Sequence, residues 1–278
     1  MKKNKYNNII LILGLFLGFF CSFVMKNLVL AIVVFIATFG VVIYRQRAAL
    51  LASLAASDYD KGRIEKSFKL YEKAIVLKDC PVMAKIIYAY RLINEGRISE
   101  SVKLLETLDY EHMSDNERLN YNATNALCIW KQGGLHRAIE IYEALLNEKD
   151  SMLIYETLGY LLLCAKDYEK ALDFNLRAAK LYDTNERIKS NLATSYYYLG
   201  DDKVAAKIYK ELIEGYANFP EPYYYYGLLL ETQRKYKGAL KYWNIALEKK
   251  LSPLYILTYE EIQCKIDEIS LLIEGEQE

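Results

Sequence analysis

The chain has 278 residues, of which 53% are hydrophobic, and its 36 basic and 36 acidic side chains give a formal net charge of zero. That neutrality hides a division: residues 1–47 carry six basic side chains and no Asp or Glu, leaving 30 basic against 36 acidic beyond them, net −6. The acidic excess disfavours nucleic acid and anionic lipid as ligands of the larger part, and five cysteines without a C-x-x-C pair suggest neither a disulfide framework nor a zinc site.

Two uninterrupted apolar runs open the chain, residues 9–25 and 28–44, each of 17 residues. A helix of that length extends about 26 Å, near the lower limit for a hydrocarbon core of roughly 30 Å. Read as one helix, the runs would bury Lys26 at a cost of about 3 kcal/mol at the bilayer centre. The pattern therefore predicts a membrane anchor over residues 1–47, made of two transmembrane helices that turn at Lys26-Asn27. Lys2, Lys3 and Lys5 precede the hairpin and Arg45 and Arg47 follow it, so the positive-inside rule places both ends in the cytoplasm. The expectation is an integral, multi-pass protein of the cell membrane with residues 48–278 on the cytoplasmic side. A cleaved export signal competes with this reading, but the apolar run is longer than the usual 7–15 residues (approximate range) and no small-x-small site follows it. Phe20, before Cys21, is also unsuited to lipoprotein processing. A hairpin that embeds without crossing is the third reading.

After Arg47 the helical pattern resumes at Leu50, Leu51 and Leu54 with no Pro or Gly before Gly62, so the second span is expected to run into the next helix. From there one pattern recurs six times. Its central small residues are Ser67, Ser101, Ala138, Ala171, Ala205 and Ala239, at intervals of 34, 37, 33, 34 and 34. Twelve residues before each stands Ala55, Ala89, Ala126, Gly159, Ala193 or Gly227, and seven after each Ala74, Leu108, Leu145, Ala178, Leu212 or Ala246. A bulky residue follows the central one by four (Tyr71, Leu105, Tyr142, Tyr209, Trp243), except that Asn175 takes this place in the fourth repeat. Small residues in register let two helices touch, so each repeat is an antiparallel helix pair and the period denotes a solenoid. The predicted repeats are 48–81, 82–115, 119–152, 152–185, 186–219 and 220–253.

The chain here resembles the tetratricopeptide repeat family, whose pattern joins a Leu-Gly pair in the first helix to Ala, an aromatic and a second Ala in the second. Repeats four and six carry it best, with Leu158-Gly159, Tyr168, Ala171 and Ala178, and with Tyr226-Gly227, Tyr236, Ala239, Trp243 and Ala246. Gly62, Gly96, Gly133 and Gly200 mark the turn inside four repeats, and Lys166 and Arg234 replace glycine in the other two. Lys85, Asn122 and Lys189 depart from the family where it favours a large residue, and Asn125 where it favours Leu. The resemblance implies an all-α, right-handed helical-hairpin solenoid of six repeats.

The 37-residue interval contains Asp109 to Arg118, where Ser114 and Glu117 read as a capping box that starts the third repeat. Beyond Pro253, Tyr255, Tyr259, Ile262, Ile266, Ile269 and Ile273 form one apolar stripe, predicting a capping helix over 254–273 that covers the last repeat. A short coiled-coil seam is the alternative. Residues 274–278 form an acidic tail. The 26 tyrosines, with many Lys, Asn and Ile, suit an AT-rich bacterial genome.

On the first helices a second row recurs at i, i+4 and i+7, including Ile86, Tyr90 and Ile93, then Leu127 and Trp130, Tyr160 and Leu163, Tyr197, and Tyr224 and Leu228. In tetratricopeptide arrays such a row lines the concave face, which implies a groove with aromatic and aliphatic anchors for a helix or an extended segment. Packing between repeats explains the same residues equally well one by one. The family's clamp for a terminal carboxylate is missing, because Ala52, Ala56, Ile86 and Tyr90 stand at its places; Lys131 and Arg187 are the basic residues expected near the groove. His112 and His136 have no ligand or triad partner at meaningful spacing, and Gly133-Gly134 serves as a turn rather than a phosphate loop. No catalytic or metal site, cofactor or small-molecule substrate is expected, and the chain is not read as an enzyme. The expected function is a membrane-anchored cytoplasmic scaffold that binds an unidentified protein or peptide in its groove. The alternative is an accessory subunit of a membrane transporter or enzyme complex, bound through the hairpin.

Overall fold

The computed structural model describes residues 2–275, with side chains described for residues 10–274. Among these residues there are fourteen α-helices, one 3-10 turn and no strand. They form two compact units, residues 1–88 and 89–278.

The first unit opens with a helical hairpin, α1 (Lys2–Phe23) and α2 (Leu28–Asp60). Lys26 takes a positive φ of 48° in the turn, and Asn27 caps α2 by accepting the Leu30 N–H at 2.9 Å. Gly14 and Gly18 bring the two helices together. A Cβ on Gly14 would lie 2.3 Å from Thr38 Cγ2, and one on Gly18 would lie 2.6 Å from the Phe35 ring. The outer surface is apolar: Phe16, Phe23, Val29, Ile36 and Phe39 are all exposed. Among the described residues, α2 is the one helix both long and apolar enough to cross a membrane; of α1, the apolar residues described are Ile10–Phe23.

The helix α2 continues without a break past Arg45 and Arg47, burying Ala48, Ala52 and Ala55 against α3 (Ile64–Ile75). The Ser67 hydroxyl donates to the Ala55 carbonyl at 2.7 Å, so the first pair of small residues is locked by a hydrogen bond as well as by contact. Tyr71 of α3 stacks on Tyr88 of the next helix, α4 (Val82–Asn94).

The second unit begins inside α4 and continues as helix pairs: α5 (Ile98–Glu106), α6 (Asp115–Lys131), α7 (Leu135–Glu148), α8 (Met152–Cys164), α9 (Tyr168–Leu181), α10 (Glu186–Tyr198), α11 (Asp202–Glu214), α12 (Glu221–Thr232) and α13 (Tyr236–Glu248). Ser114 and Glu117 form the expected capping box ahead of α6. The small residues Ala89, Ala126, Ala138, Ala171, Ala193, Ala205 and Ala239 have no exposed surface, which is what close helix contact requires. Trp243 shows how tightly the contact is built. A Cβ on Gly227 would sit 2.3 Å from its Nε1, which donates to the Tyr224 carbonyl at 3.0 Å. Tyr142 and Tyr209 reach across in the same way, to the Ala123 carbonyl at 3.1 Å and the Thr194 hydroxyl at 2.8 Å. In the fourth repeat Asn175 fills the place with a polar group, its Nδ2 donating to the Ser195 hydroxyl at 3.1 Å.

Every turn inside a repeat uses a left-handed residue. Gly62, Gly96, Gly133 and Gly200 have φ between 73° and 97°, while Lys166 and Arg234 adopt 60° and 56°. The last helix, α14 (Tyr259–Gly275), buries Ile262, Ile266 and Ile269 against Trp243, Ala246 and Leu212. It begins at Tyr259 rather than at residue 254, because Thr258 and Glu261 make a second capping box: the Thr258 N–H donates to Glu261 Oε2 at 2.8 Å and the Glu261 N–H to Thr258 Oγ1 at 3.1 Å. Tyr255 therefore leaves the helical stripe. Of the acidic tail, residues 276–278 lie outside the described residues.

Candidate partner-binding groove

Residues 250–257 do not stay beside the last repeat. They run back along the first helices: Lys250 lies 3.7 Å from Glu95, Ser252 Oγ lies 3.5 Å from Asn94 Oδ1, and Pro253 faces Gly96. Leu254 is buried in the core that contains Ile93, Leu127, Trp130 and Leu163. Tyr255 sets its ring edge-on to Tyr160, 4.8 Å between centroids, and its hydroxyl 3.4 Å from Glu156 Oε1. The backbone N–H of Ile256 donates to the Tyr160 hydroxyl at 2.7 Å. The groove of the second unit thus already holds one segment of chain, a turn closed by the Tyr255 N–H on the Ser252 carbonyl at 2.9 Å, by an aliphatic anchor, an aromatic anchor and a main-chain hydrogen bond.

Beside that segment a cavity remains between α8, α10 and α12. Tyr160, Leu163, Tyr197, Tyr224 and Leu228 from the predicted row line it together, as do Ser190 and Thr194. The others of that row are placed differently. Tyr90, Ile93, Leu127 and Trp130 belong to the core around Leu254, and Ile86 is buried in the first unit. Spacing alone does not reveal the remaining wall, which comes from the loop residue Phe219, from Glu221 and Tyr225 of α12, and from Tyr255 and Leu257 of the returning segment.

The charges in the groove are few and constrained. Arg187 at the start of α10 lies between the rings of Phe219 and Tyr255, 4.4 and 4.3 Å from their centroids, where cation–π attraction offsets part of its desolvation. Its guanidinium stands 3.9 Å from Glu156 Oε1 and 4.0 Å from Glu221 Oε1. Burial holds the Glu221 carboxyl above the usual glutamate range, with Arg187 pulling it back part of the way. Lys131 lies over the Trp130 ring at 4.3 Å, and burial lowers its pKa. Cys164 also lines the cavity. Burial pushes its thiol up to about 12, so it stays protonated and is a poor nucleophile near neutral pH. Among the described residues no three His, Cys, Asp or Glu side chains gather as a metal site.

Residues 190–253 match the family model described as tetratricopeptide repeat. A tetratricopeptide repeat protein from Parabacteroides merdae superposes with a TM-score of 0.62 at 14% identity, over 92% of this chain and 99% of that one. A thermophilic protein of the same kind from Thermus thermophilus gives 0.55 at 17% identity, over 69% and 100%. The repeats carry the tetratricopeptide-repeat fold. PilF of Pseudomonas aeruginosa is similar over 70% of this chain and 90% of its own, with a TM-score of 0.50 and 16% identity. No curated protein matches the chain in sequence. At these identities the likeness concerns fold, and a tetratricopeptide-repeat fold is a platform for protein–protein contact whose specificity lies in its surface residues.

Proposed function

We propose that this chain is a membrane-anchored scaffold whose tetratricopeptide repeats hold a protein or peptide partner in the groove of α8, α10 and α12, on the cytoplasmic side. The observation that carries the reading is the returning segment: Leu254, Tyr255 and Ile256 occupy the groove through side-chain anchors and a main-chain hydrogen bond, as a bound peptide turn would, so the surface accommodates a segment of chain. The exposed apolar exterior of α1 and α2, with Arg45 and Arg47 where the apolar stretch of α2 ends, supports a hairpin that enters the bilayer as two spans and returns. The first apolar run, residues 9–25, lies near the lower length limit for a core of roughly 30 Å; thinning or flanking lysines accommodate such a mismatch at modest cost.

A photo-crosslinking side chain placed at Tyr197 of the full chain, in its own membrane, should trap one partner, while the same group at the exposed Lys170 of α9 should not. Equal adducts from both positions would overturn the groove reading. The exposed hairpin exterior also suits an accessory subunit that docks within the membrane. Replacing residues 1–47 by an unrelated two-span hairpin separates the two, since a scaffold retains its Tyr197 adduct and a subunit held by its hairpin loses it.

A further inference from the structure

The cavity beside the returning segment has a volume of about 230 Å³, room for roughly seven waters at about 30 Å³ each and so for one long side chain. Glu221 lines it from the first turn of α12, with 8% of the residue exposed. Its Oε1 lies 4.0 Å from Arg187, but Oε2 is buried and has no hydrogen-bond partner among the described residues. A buried carboxylate oxygen left unpaired forfeits its hydration without replacement, which makes it a strong acceptor for any donor that enters.

Arg187 does not fill that role. Its guanidinium is fixed between two rings and shared with Glu156. A second carboxylate, Glu261, lines the same cavity, held by the amide and hydroxyl of Thr258. Two carboxylates thus line the site against one guanidinium, which is itself shared with Glu156. The walls between them are the rings of Tyr160, Tyr197, Tyr224 and Tyr225, whose faces attract cations. An anion would meet the carboxylates, and a neutral apolar group would leave Glu221 Oε2 unsatisfied. A cation on a long stem satisfies both features.

We propose that this cavity receives a basic side chain, Lys or Arg, carried on a peptide segment of the partner, with the stem against the tyrosines and the head donating to Glu221 Oε2. This rests on the groove being the partner site; the chemistry of the occupant is the new element.

The test is selection of displayed random peptides on the full chain in lipid nanodiscs. The wild-type chain should enrich peptides with one invariant Lys or Arg. Replacing that residue by norleucine or citrulline should weaken binding at least tenfold, and Glu221→Gln should remove the difference between the basic and neutral peptides. On the wild-type chain, arginine amide should displace the selected peptide at a concentration at least tenfold below citrulline amide, a readout that does not depend on how the variant folds. Groove-binding peptides without an invariant basic residue would overturn the cation site while leaving the groove reading intact. If no enriched peptide is sensitive to Tyr197→Ala or Tyr160→Ala, the groove reading itself falls.

Discussion

The hairpin and the repeats use the same contact and differ in what surrounds it. In the first unit Gly14 and Gly18 admit Thr38 and Phe35, and in the second Gly227 admits Trp243. Both are small-against-large contacts between antiparallel helices. Around the hairpin the outer residues are Phe, Val, Ile and Leu, whereas around the repeats they are largely Lys, Glu and Asp. Contact between helices therefore says how the chain packs, and the outer faces differ in the surroundings they suit. In water the repeat contact gains from the hydrophobic effect, whereas the proposed lipid setting of the hairpin would leave its contact to van der Waals fit, interhelical hydrogen bonds and lipid entropy.

The largest break in that comparison is expected at Ala171, which has no exposed surface. Ala171→Arg overpacks a helix contact, at about 1–3 kcal/mol, and buries an unpaired charge, so the total should reach several kcal/mol. Thermal melting followed by helical content should show the loss in the second unit, concentrated on repeat four and its neighbours. An unchanged melt would show that the proposed contact is not where the stability lies. The matching change in the hairpin, Gly18→Leu, should cost about 1–3 kcal/mol locally. Hydrogen exchange should quicken in α1 and in the apolar half of α2, with the melt reported by Trp130 and Trp243 unmoved.

A smaller effect separates the turns. Lys166 and Arg234 hold positive φ, a conformation that costs an L-residue roughly 1–2 kcal/mol and glycine almost nothing. After glycine's greater freedom in the unfolded chain is subtracted, Lys166→Gly and Arg234→Gly should each stabilise by roughly 0.5–1 kcal/mol. Gly200→Ala should destabilise by about 1 kcal/mol, and for strain alone, since nothing lies within 4 Å of the added Cβ. Denaturant midpoints at unchanged slope would check all three.

The turns were legible in the sequence because a fixed interval identified their position even where glycine was missing. The same regularity made the buried small residues legible, since a 34-residue period repeats one contact at each stage. What escaped was non-periodic. The stripe from Tyr255 to Ile273 kept helical spacing across the Thr258–Glu261 box, so spacing could not show that Tyr255 leaves the helix. Its partner Tyr160 stands 95 positions earlier, and no local pattern encodes a contact at that distance. Glu221, between Pro220 and Pro222, carries no signal in the sequence, and only the surrounding packing makes it a buried carboxylate. The row of Tyr160, Leu163, Tyr197, Tyr224 and Leu228 was visible, but spacing could not tell it from Ile93 and Leu127, which are in the core.

The smallest expected effect is the pH dependence of that carboxyl, and it sharpens the contrast between an outer acid and an inner one. Burial raises the folded pKa of Glu221 above its unfolded value, against the pull of Arg187. The folded state therefore binds more protons than the unfolded state between those two values, and stability falls as pH rises through that window. Below the unfolded value, near pH 4.3 (approximate), both states are protonated and the penalty is absent; above the folded value it is complete. Glu221→Gln removes the titration while keeping the shape. The variant should match the wild type in acid and exceed it at neutral pH, with the gap opening across the window and then staying level. Denaturant melts of both chains at a series of pH values measure this directly. A variant less stable than the wild type at neutral pH would mean that the ionised carboxylate is paired in solution, which would place a strong donor beside Oε2.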